Sequence, residues 1–191
     1  MLYPLPAVMV SCGDEVSGYN IITVAWTGIV NTEPPILYIS VRKSRHSHSI
    51  IQRTGEFVIN LTGKNLAETM DFCGVRSGRT VNKFAERGLT PVPASKINCP
   101  MIAESPVNLE CKVRQVIEFP SHDMFLADVL AVHAEADLMD ETGKLHLEKA
   151  GLLAFSHGAY YELPRRSLGT FGYSVKRRRT KKNGIAKNKK G

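Results

Sequence analysis

Residues 36–61, ILYISVRKSRHSHSIIQRTGEFVINL, show in one stretch the kinds of element from which the rest of the chain is built. The apolar run at 36–41 is rich in β-branched and aromatic residues, which predicts a β-strand. Residues 44–54 are predicted to be helical, because Gly55 follows them in the position where helices commonly end. Residues 57–61 form another apolar run of strand length. A strand, an inserted helix and a strand therefore follow one another closely.

The same pattern extends in both directions along the chain. Strands are predicted at 6–12, 20–30, 107–119, 124–134 and 155–163, with turn chemistry at 13–18, a paired proline at 34–35 and a turn at 122–123. A short amphipathic helix is predicted around residues 66–72, stopped near Gly74. Short strands with occasional helices argue against a doubly wound parallel sheet. The sequence predicts a mainly β fold with inserted helices, closed as an antiparallel barrel.

The charge of the chain is divided unevenly between its body and its end. Residues 176–191 read KRRRTKKNGIAKNKKG, with nine Lys and Arg and no acid. The formal net charge of +7 comes from 25 basic and 18 acidic residues, so the body retains 16 basic and 18 acidic residues, a net of −2. The 191 residues suit one sizeable domain. We expect a single domain over residues 1–175 and a basic, disordered tail over 176–191.

Several classes of protein are excluded by what the sequence lacks. No apolar run approaches the roughly 20 residues of a membrane span, and the N-terminus lacks the features of a signal peptide, so we expect a cytoplasmic location. The four cysteines are widely spaced, and neither they nor the histidines form a zinc pattern, so reduced thiols and no metal are expected. Neither a Walker loop nor a G-x-G-x-x-G motif is present.

Residues 40–48, SVRKSRHSH, carry three cations, two histidines and three serines at the point where a strand gives way to a helix. Arginine forks, hydroxyl groups and the free N–H groups of a helix start are the donors that a phosphate monoester requires. The segment therefore indicates a binding site for a phosphorylated ligand. A solvated strand-to-helix turn is the alternative that the segment alone leaves open.

Three further segments have the chemistry of a ligand site. Residues 23–31 hold the single Trp beside threonines and Gly28, residues 73–84 form a Gly-, Ser- and Arg-containing loop, and residues 155–161 place His157 among aromatic side chains. If the loop is helical between Arg79 and Lys83, the two share a face and grip one phosphate. The alternatives are a core Trp with a glycine bulge, a solvated basic loop, and a barrel strand that ends in a hydrogen-bonded His.

Taken together and in this order, these four segments resemble the flavin reductase-like proteins with an FMN-binding split barrel, and among them the flavoredoxin-type group. The resemblance covers about residues 2–176. It implies a Greek-key split β-barrel that forms a homodimer, with FMN at the mouth of the barrel near the subunit interface. The abrupt start at Met1 and the basic tail depart from the family pattern.

The resemblance also implies the residues that contact FMN. Ala25, Trp26, Thr27 and Gly28 are expected along the isoalloxazine and ribityl chain, and Ser40, Val41 and Arg42 continue that wall. The phosphate is expected at Arg45, His46 and Ser47, with Arg79 and Lys83 reaching in from the loop at residues 73–84, called here the cationic loop. His157 is expected near the flavin and Phe171 over the ring. No catalytic acid or base is predicted, because the cofactor supplies the redox chemistry.

The sequence leaves three functions to consider. The first is an FMN reductase that uses NADH or NADPH, and the second is an FMN electron-transfer protein that exchanges electrons with a protein partner and uses nicotinamide poorly. The third is a nucleic-acid-binding barrel with a basic tail, but the mildly acidic body argues against it. No nicotinamide fingerprint separates the first two.

Overall fold

The structure is a computed structural model that describes residues 2–16, 18–164 and 166–176. Within these residues it contains twelve strands and three α-helices. The strands are Leu5–Pro6 (β1), Val8–Cys12 (β2), Asn20–Val24 (β3), Thr27–Thr32 (β4), Pro35–Arg42 (β5), Glu56–Leu61 (β6), Pro91–Val92 (β7), Met101–Ile102 (β8), Val107–Glu118 (β9), His122–Ala134 (β10), Leu153–Ser156 (β11) and Ala159–Glu162 (β12). The helices are His46–Thr54 (α1), Ala67–Val75 (α2) and Lys83–Glu86 (α3). Short 3-10 turns lie at Lys64–Leu66, Ala136–Leu138, Leu147–Lys149 and Tyr173–Val175.

The main sheet has seven strands in the order β3-β2-β6-β9-β10-β5-β4, and all neighbours are antiparallel. Strands β6, β9 and β10 lie side by side in chain order, and β5, which joins β6 through α1, lies beside β10. That arrangement is a Greek key. The prediction of a mainly β, Greek-key split barrel with inserted helices is confirmed.

One hydrophobic core fills the inside of this sheet. Ile22 and Val24 from one end of the sheet and Ile39 and Val41 from near the other end belong to the same buried cluster. The sheet must curl for its two ends to share a core. Ile51 of α1 is completely buried in the same cluster, so this helix packs onto the core of the curled sheet.

A second core lies outside the barrel and fixes the elements around the cleft described below. It combines Met70 and Cys73 of α2, Phe84 of α3 and Leu153 of β11 with the back of the main sheet at Met9 and Ile21. The small sheet β1-β11-β12 is joined to the rest through this cluster. Helix α2 and the β11–β12 hairpin are therefore held against the same edge of the barrel as β3.

The four cysteine thiols are free and buried. Burial raises the pKa of the Cys12 thiol to about 12, so it stays protonated at neutral pH. Within the described residues no group of His, Cys, Asp and Glu side chains is placed to hold a metal ion. No helix in the described ranges is long and apolar enough to cross a membrane.

Three predictions about elements were wrong. The predicted strand at 20–30 is two strands, because the chain breaks at Ala25 and Trp26 between β3 and β4. The predicted strand at 155–163 is a hairpin whose turn lies at His157 and Gly158, and His157 has a positive φ of 49°. The register between β9 and β10 places His122 at the start of β10 rather than in the turn.

The basic tail predicted over residues 176–191 falls outside the described residues except for Lys176. The division of the chain into a domain at 1–175 and a tail therefore stays a prediction.

Candidate functional site

The break between β3 and β4 leaves Trp26 at the rim of the barrel. Its side chain is 47% exposed, and its ring lies against that of His122, with centroids 4.5 Å apart and planes inclined by 41°. The Ser40 amide donates a 2.8 Å hydrogen bond to the Trp26 carbonyl, which fastens the break to β5. The two rings form one wall of a cavity of about 210 Å³, called here the Trp26 compartment. Its lining residues are Ile22, Thr23, Val24, Ala25, Trp26, Ser40, Val41, Arg42, Arg45 and His122.

A larger cavity of about 460 Å³, the cationic compartment, continues from the first. The two share Ile22, Arg42 and Arg45, so they are two parts of one cleft. Four cations line the larger part, and no Asp or Glu does so among the described residues. Its lining residues are Asn20, Ile22, Arg42, Ser44, Arg45, His46, Ser47, Cys73, Gly74, Arg76, Ser77, Gly78 and Lys83.

The N-terminus of α1 lies at this cationic compartment. Strand β5 ends at Arg42, and a turn closed by a 3.0 Å bond from the Arg45 amide to the Arg42 carbonyl leads into the helix. Arg45 is the N-cap, in an extended conformation with no side-chain cap. The first amides of a helix have no acceptor within it and carry a partial positive charge, which favours an anion at this end.

Ser47 fixes the helix start to the far side of the cleft. The Ser47 side chain is buried, and its hydroxyl accepts a 2.8 Å hydrogen bond from the side-chain amide (Nδ2) of Asn20 at the start of β3. A Cβ atom on Gly78 would lie 2.1 Å from the Asn20 side-chain oxygen, so a glycine is needed where this loop passes Asn20. The cationic loop, β3 and α1 are thereby held together at one point.

Lys83 is buried, and its ammonium group is already engaged with the backbone. It donates to the Ile21 carbonyl at 2.6 Å and to the Cys73 carbonyl at 2.7 Å. An ammonium has three N–H donors, so one remains for a ligand in the cationic compartment. Burial lowers the pKa of Lys83. Lys83 is therefore both a structural link between β3 and α2 and a cation at the cleft.

Two histidines at the cleft have lowered pKa values. Burial is the main cause for His46, and the charges of Arg79 and Lys83 add to it. For His122 burial is again the main cause, followed by the charge of Arg42. Both imidazoles are therefore biased toward the neutral form at neutral pH. The His122 ring is held by a 2.8 Å hydrogen bond between its Nδ1 and the Ser121 hydroxyl.

Most of the predicted site residues come together in this cleft. Ala25, Trp26, Ser40, Val41, Arg42, Arg45, His46, Ser47 and Lys83 all line it. Arg79 lies in the exposed loop close enough to influence the His46 pKa. Arg79 and Lys83 do not share a helical face, because α3 begins at Lys83 and Arg79 lies in a turn before it.

Besides Arg79, four predicted contacts lie outside the cleft lining. Thr27 donates a 2.6 Å hydrogen bond to the Tyr38 carbonyl, and a Cβ on Gly28 would lie 3.0 Å from the Tyr38 ring, so both positions join β4 to β5. His157 stacks on Tyr3 with ring centroids 4.6 Å apart. Phe171 is fully exposed, at 106% of its reference area. The flavin contacts of these residues stay predictions.

The lining of the cleft includes residues that were not among the predicted contacts, and Asn20, His122 and Arg76 are three polar or charged examples. Asn20 and His122 lie at strand ends, and their position at the cleft depends on how the sheet curls. Arg76 lies in the cationic loop, and its charge was a signal available in the sequence.

A family model described as Flavin reductase like domain matches residues 1–164. An uncharacterized protein of Archaeoglobus fulgidus is 33% identical over 136 residues, which are 71% of this chain and 76% of that protein.

Solved structures share the fold. The flavoredoxin of Desulfovibrio vulgaris (Miyazaki F) is 29% identical with a TM-score of 0.85, covering 92% of this chain and 95% of that one. A split-barrel protein described as a flavin reductase, from Shewanella frigidimarina, is 20% identical with a TM-score of 0.79, covering 89% of this chain and 86% of that one. At that identity the second likeness concerns the fold alone.

Proposed function

The chain belongs to the flavin reductase-like family, and on that premise we propose that it is an FMN-binding oxidoreductase that takes electrons from NADH or NADPH and passes them on. The observation that carries the proposal is the two-part cleft. A wall formed by the Trp26 and His122 rings continues into a compartment lined by four cations and, among the described residues, by no carboxylate.

The residues present fit FMN better than a flavin without a phosphate. Arg42, Arg45 and Arg76, with the start of α1, would hold the phosphate, and each charge-assisted hydrogen bond contributes about 1.5–3 kcal/mol. Trp26 offers the ring an aromatic partner. Gly78 passes close to Asn20, so no side chain projects from position 78 into this part of the cationic compartment.

Bound FMN would supply the redox chemistry, since it exchanges both hydride and single electrons. The protein would bind, orient and stabilise charge. Arg42 lines both compartments, so its guanidinium would favour negative charge on a reduced ring as well as on a phosphate. His122, biased toward the neutral form, would present an uncharged imidazole to that ring.

The visible absorption spectrum and flavin affinities of the purified protein test this proposal. We expect flavin bands, and FMN binding at least about tenfold tighter than riboflavin binding, because riboflavin lacks the phosphate. Fluorescence quenching measures both affinities. Equal affinity for the two flavins would contradict the phosphate site.

A second function is favoured by the 29% identity with a flavoredoxin. In that case the chain carries electrons between protein partners and uses nicotinamide poorly. Steady-state oxidation of NADH and NADPH with FMN present separates the two, because a reductase turns over either nucleotide and a carrier does not. The homodimer, the redox partner protein and the cytoplasmic location stay predictions.

A further inference from the structure

A third compartment of the same cleft, of about 230 Å³, lies between α2 and the β11–β12 hairpin. It shares Thr23 and Ala25 with the Trp26 compartment and Gly74 with the cationic compartment. We name it the Tyr160 compartment. Its lining residues are Ala7, Thr23, Ala25, Asp71, Gly74, Val75, Phe155 and Tyr160.

The chemistry of this compartment is the opposite of that of its cationic neighbour. Its one charged lining residue is a carboxylate, Asp71, and no Lys, Arg or His lines it within the described part of the chain. Two aromatic rings, Phe155 and Tyr160, stand with centroids 5.5 Å apart and planes inclined by 47°. The remaining lining is mostly small and apolar.

Asp71 and Tyr160 are fixed against each other across the compartment. The Tyr160 hydroxyl donates a 2.9 Å hydrogen bond to Asp71 Oδ1, linking α2 to β12. Burial, and next the bond to Asp71, raises the pKa of Tyr160 to about 12, so the phenol stays protonated and keeps donating. The other carboxylate oxygen, Oδ2, is not used by this bond. The hydrogen bond therefore holds the Asp71 carboxylate, a hydrogen-bond acceptor, at a fixed position beside the rings of Phe155 and Tyr160.

The wall between the Tyr160 compartment and the rest of the cleft is thin. A Cβ on Gly74 would lie 3.1 Å from the Thr23 Cβ, so the partition is a direct contact between α2 and β3. The Thr23 hydroxyl donates to the Met70 carbonyl and fixes this contact. A molecule in the Tyr160 compartment would thus sit next to whatever lies along Ala25 and Trp26.

We propose, resting on the proposed function, that the Tyr160 compartment binds the electron acceptor, a small molecule with a single uncharged aromatic ring and a hydrogen-bond donor, and that Asp71 rejects anionic rings. The volume suits one ring, because cavities of about 150 Å³ accommodate benzene. Phe155 and Tyr160 supply aromatic contacts. An ionised carboxylate accepts N–H or O–H donors and repels another carboxylate.

The test compares benzamide with benzoate, which differ in an amide against a carboxylate on the same ring. Binding of each is measured by ligand-observed NMR on the FMN-loaded protein and on the flavin-free protein in phosphate buffer, so that an anion occupies the cationic compartment in both and benzoate does not bind there. We expect benzamide to bind at least about fivefold tighter than benzoate. Asp71→Asn, which keeps the shape and removes the charge, should bring the ratio close to one.

Two further variants test whether the preference for benzamide arises in the Tyr160 compartment. Asp128 on β10 pairs with Arg114 on β9, and neither residue lines the Tyr160 compartment. Asp128→Asn therefore removes a carboxylate elsewhere in the protein and should leave the ratio unchanged. Tyr160→Leu should weaken benzamide at least about threefold through loss of the ring contact. It serves as the decisive variant if Asp71→Asn does not fold.

The outcomes separate this proposal from the proposed function. Equal binding of benzamide and benzoate by the unmodified protein, or a ratio that Asp71→Asn leaves unchanged, would overturn the Tyr160 compartment as a selective ring site. If FMN and riboflavin bind equally while the Asp71-dependent preference holds, the proposed function fails and the ring site stands.

Discussion

At the scale of single residues, the cations of the cleft play different parts. Arg45 caps α1 in an exposed position, with its backbone amide bonded to Arg42, and its side chain lines both the Trp26 and the cationic compartments. Lys83 is buried and bonded to two carbonyls. The positive charge of Lys83 therefore stabilises the fold, whereas that of Arg45 lines the cleft, where we propose that it binds a ligand.

Arg45→Ala should weaken FMN by about ten- to a hundredfold, because one charge-assisted bond to the phosphate is lost. Riboflavin affinity should barely change. Arg45→Lys should recover part of the loss, since the charge returns without the planar fork. Arg53→Ala, at the exposed other end of the same helix, is the matched control and should bind FMN normally. A similar loss for riboflavin would show that Arg45 shapes the cleft instead.

Lys83→Met should lower the free energy of unfolding by about 1–3 kcal/mol, because the Ile21 and Cys73 carbonyls lose their buried donor. Urea unfolding measures this change. FMN affinity should fall as well, by less than in Arg45→Ala, since one ammonium proton at most reaches the ligand. Unchanged stability would mean that solvent replaces the buried bonds.

At the scale of elements, the start of β10 is locked to α1 behind the cleft. Asp123 is buried, and its carboxylate accepts a 2.7 Å hydrogen bond from His48 Nε2 while Lys43 approaches the other oxygen at 3.2 Å. Asp123 follows His122, and His48 follows Ser47, so this pair holds both sides of the cleft. Burial opposes ionisation of Asp123, but the bonds from His48 and Lys43 prevail and lower its pKa.

Asp123→Asn should therefore reduce stability at neutral pH, by about 1–3 kcal/mol as for other buried charged hydrogen bonds. A lowered carboxyl pKa contributes stability in full above the unfolded value, and that contribution is lost as the pH falls through the folded value. The difference from the unmodified protein should shrink below about pH 4. Urea unfolding at pH 7 and in this acid range measures it.

The control for this experiment lies on the same strand. Asp128 pairs with Arg114 at 2.8 Å, with side chains 31% and 48% exposed. Solvent screens such a pair, so Asp128→Asn should change stability by less than about 1 kcal/mol. If both variants lose the same stability, burial of the Asp123 pair is not what stabilises the junction.

At the scale of the whole molecule, the sheet ends on an exposed edge. Strand β4 is the last strand of the main sheet, and Ile29 and Val30 on it are exposed, at 83% and 52%. Val132 on β10 and Phe171 near the C-terminus add further exposed apolar area. An unpaired edge with apolar side chains is a surface that another chain can cover.

Light scattering should give a two-fold dimer of about 42 kDa, twice the 21.1 kDa of the chain. Ile29→Lys should shift the equilibrium toward the monomer, because it places a charge on the exposed edge. Glu33→Lys, in the exposed turn after β4, is the charge-changing control. A monomer at micromolar concentration with flavin bound would contradict the prediction.

Local sequence patterns determined much of the architecture. The strand, turn and helix of residues 36–54 follow from an apolar run, a cluster of cationic and hydroxyl residues and Gly55 in the left-handed conformation at φ 67°. The β2–β3 hairpin follows from two apolar runs around a turn. These patterns act between near neighbours, so their physical cause is present in the sequence itself.

The candidate site could be predicted from the sequence where cations and hydroxyl residues cluster at the end of a strand, as in residues 40–48. The tertiary structure alone decided the rest. Ile21 and Lys83 meet across 62 residues, and Asp71 and Tyr160 across 89. The contact of His122 with Trp26 likewise depends on how the sheet curls. Local sequence propensity does not predict such distant contacts, because the packing of the curled sheet and the burial of polar groups select them.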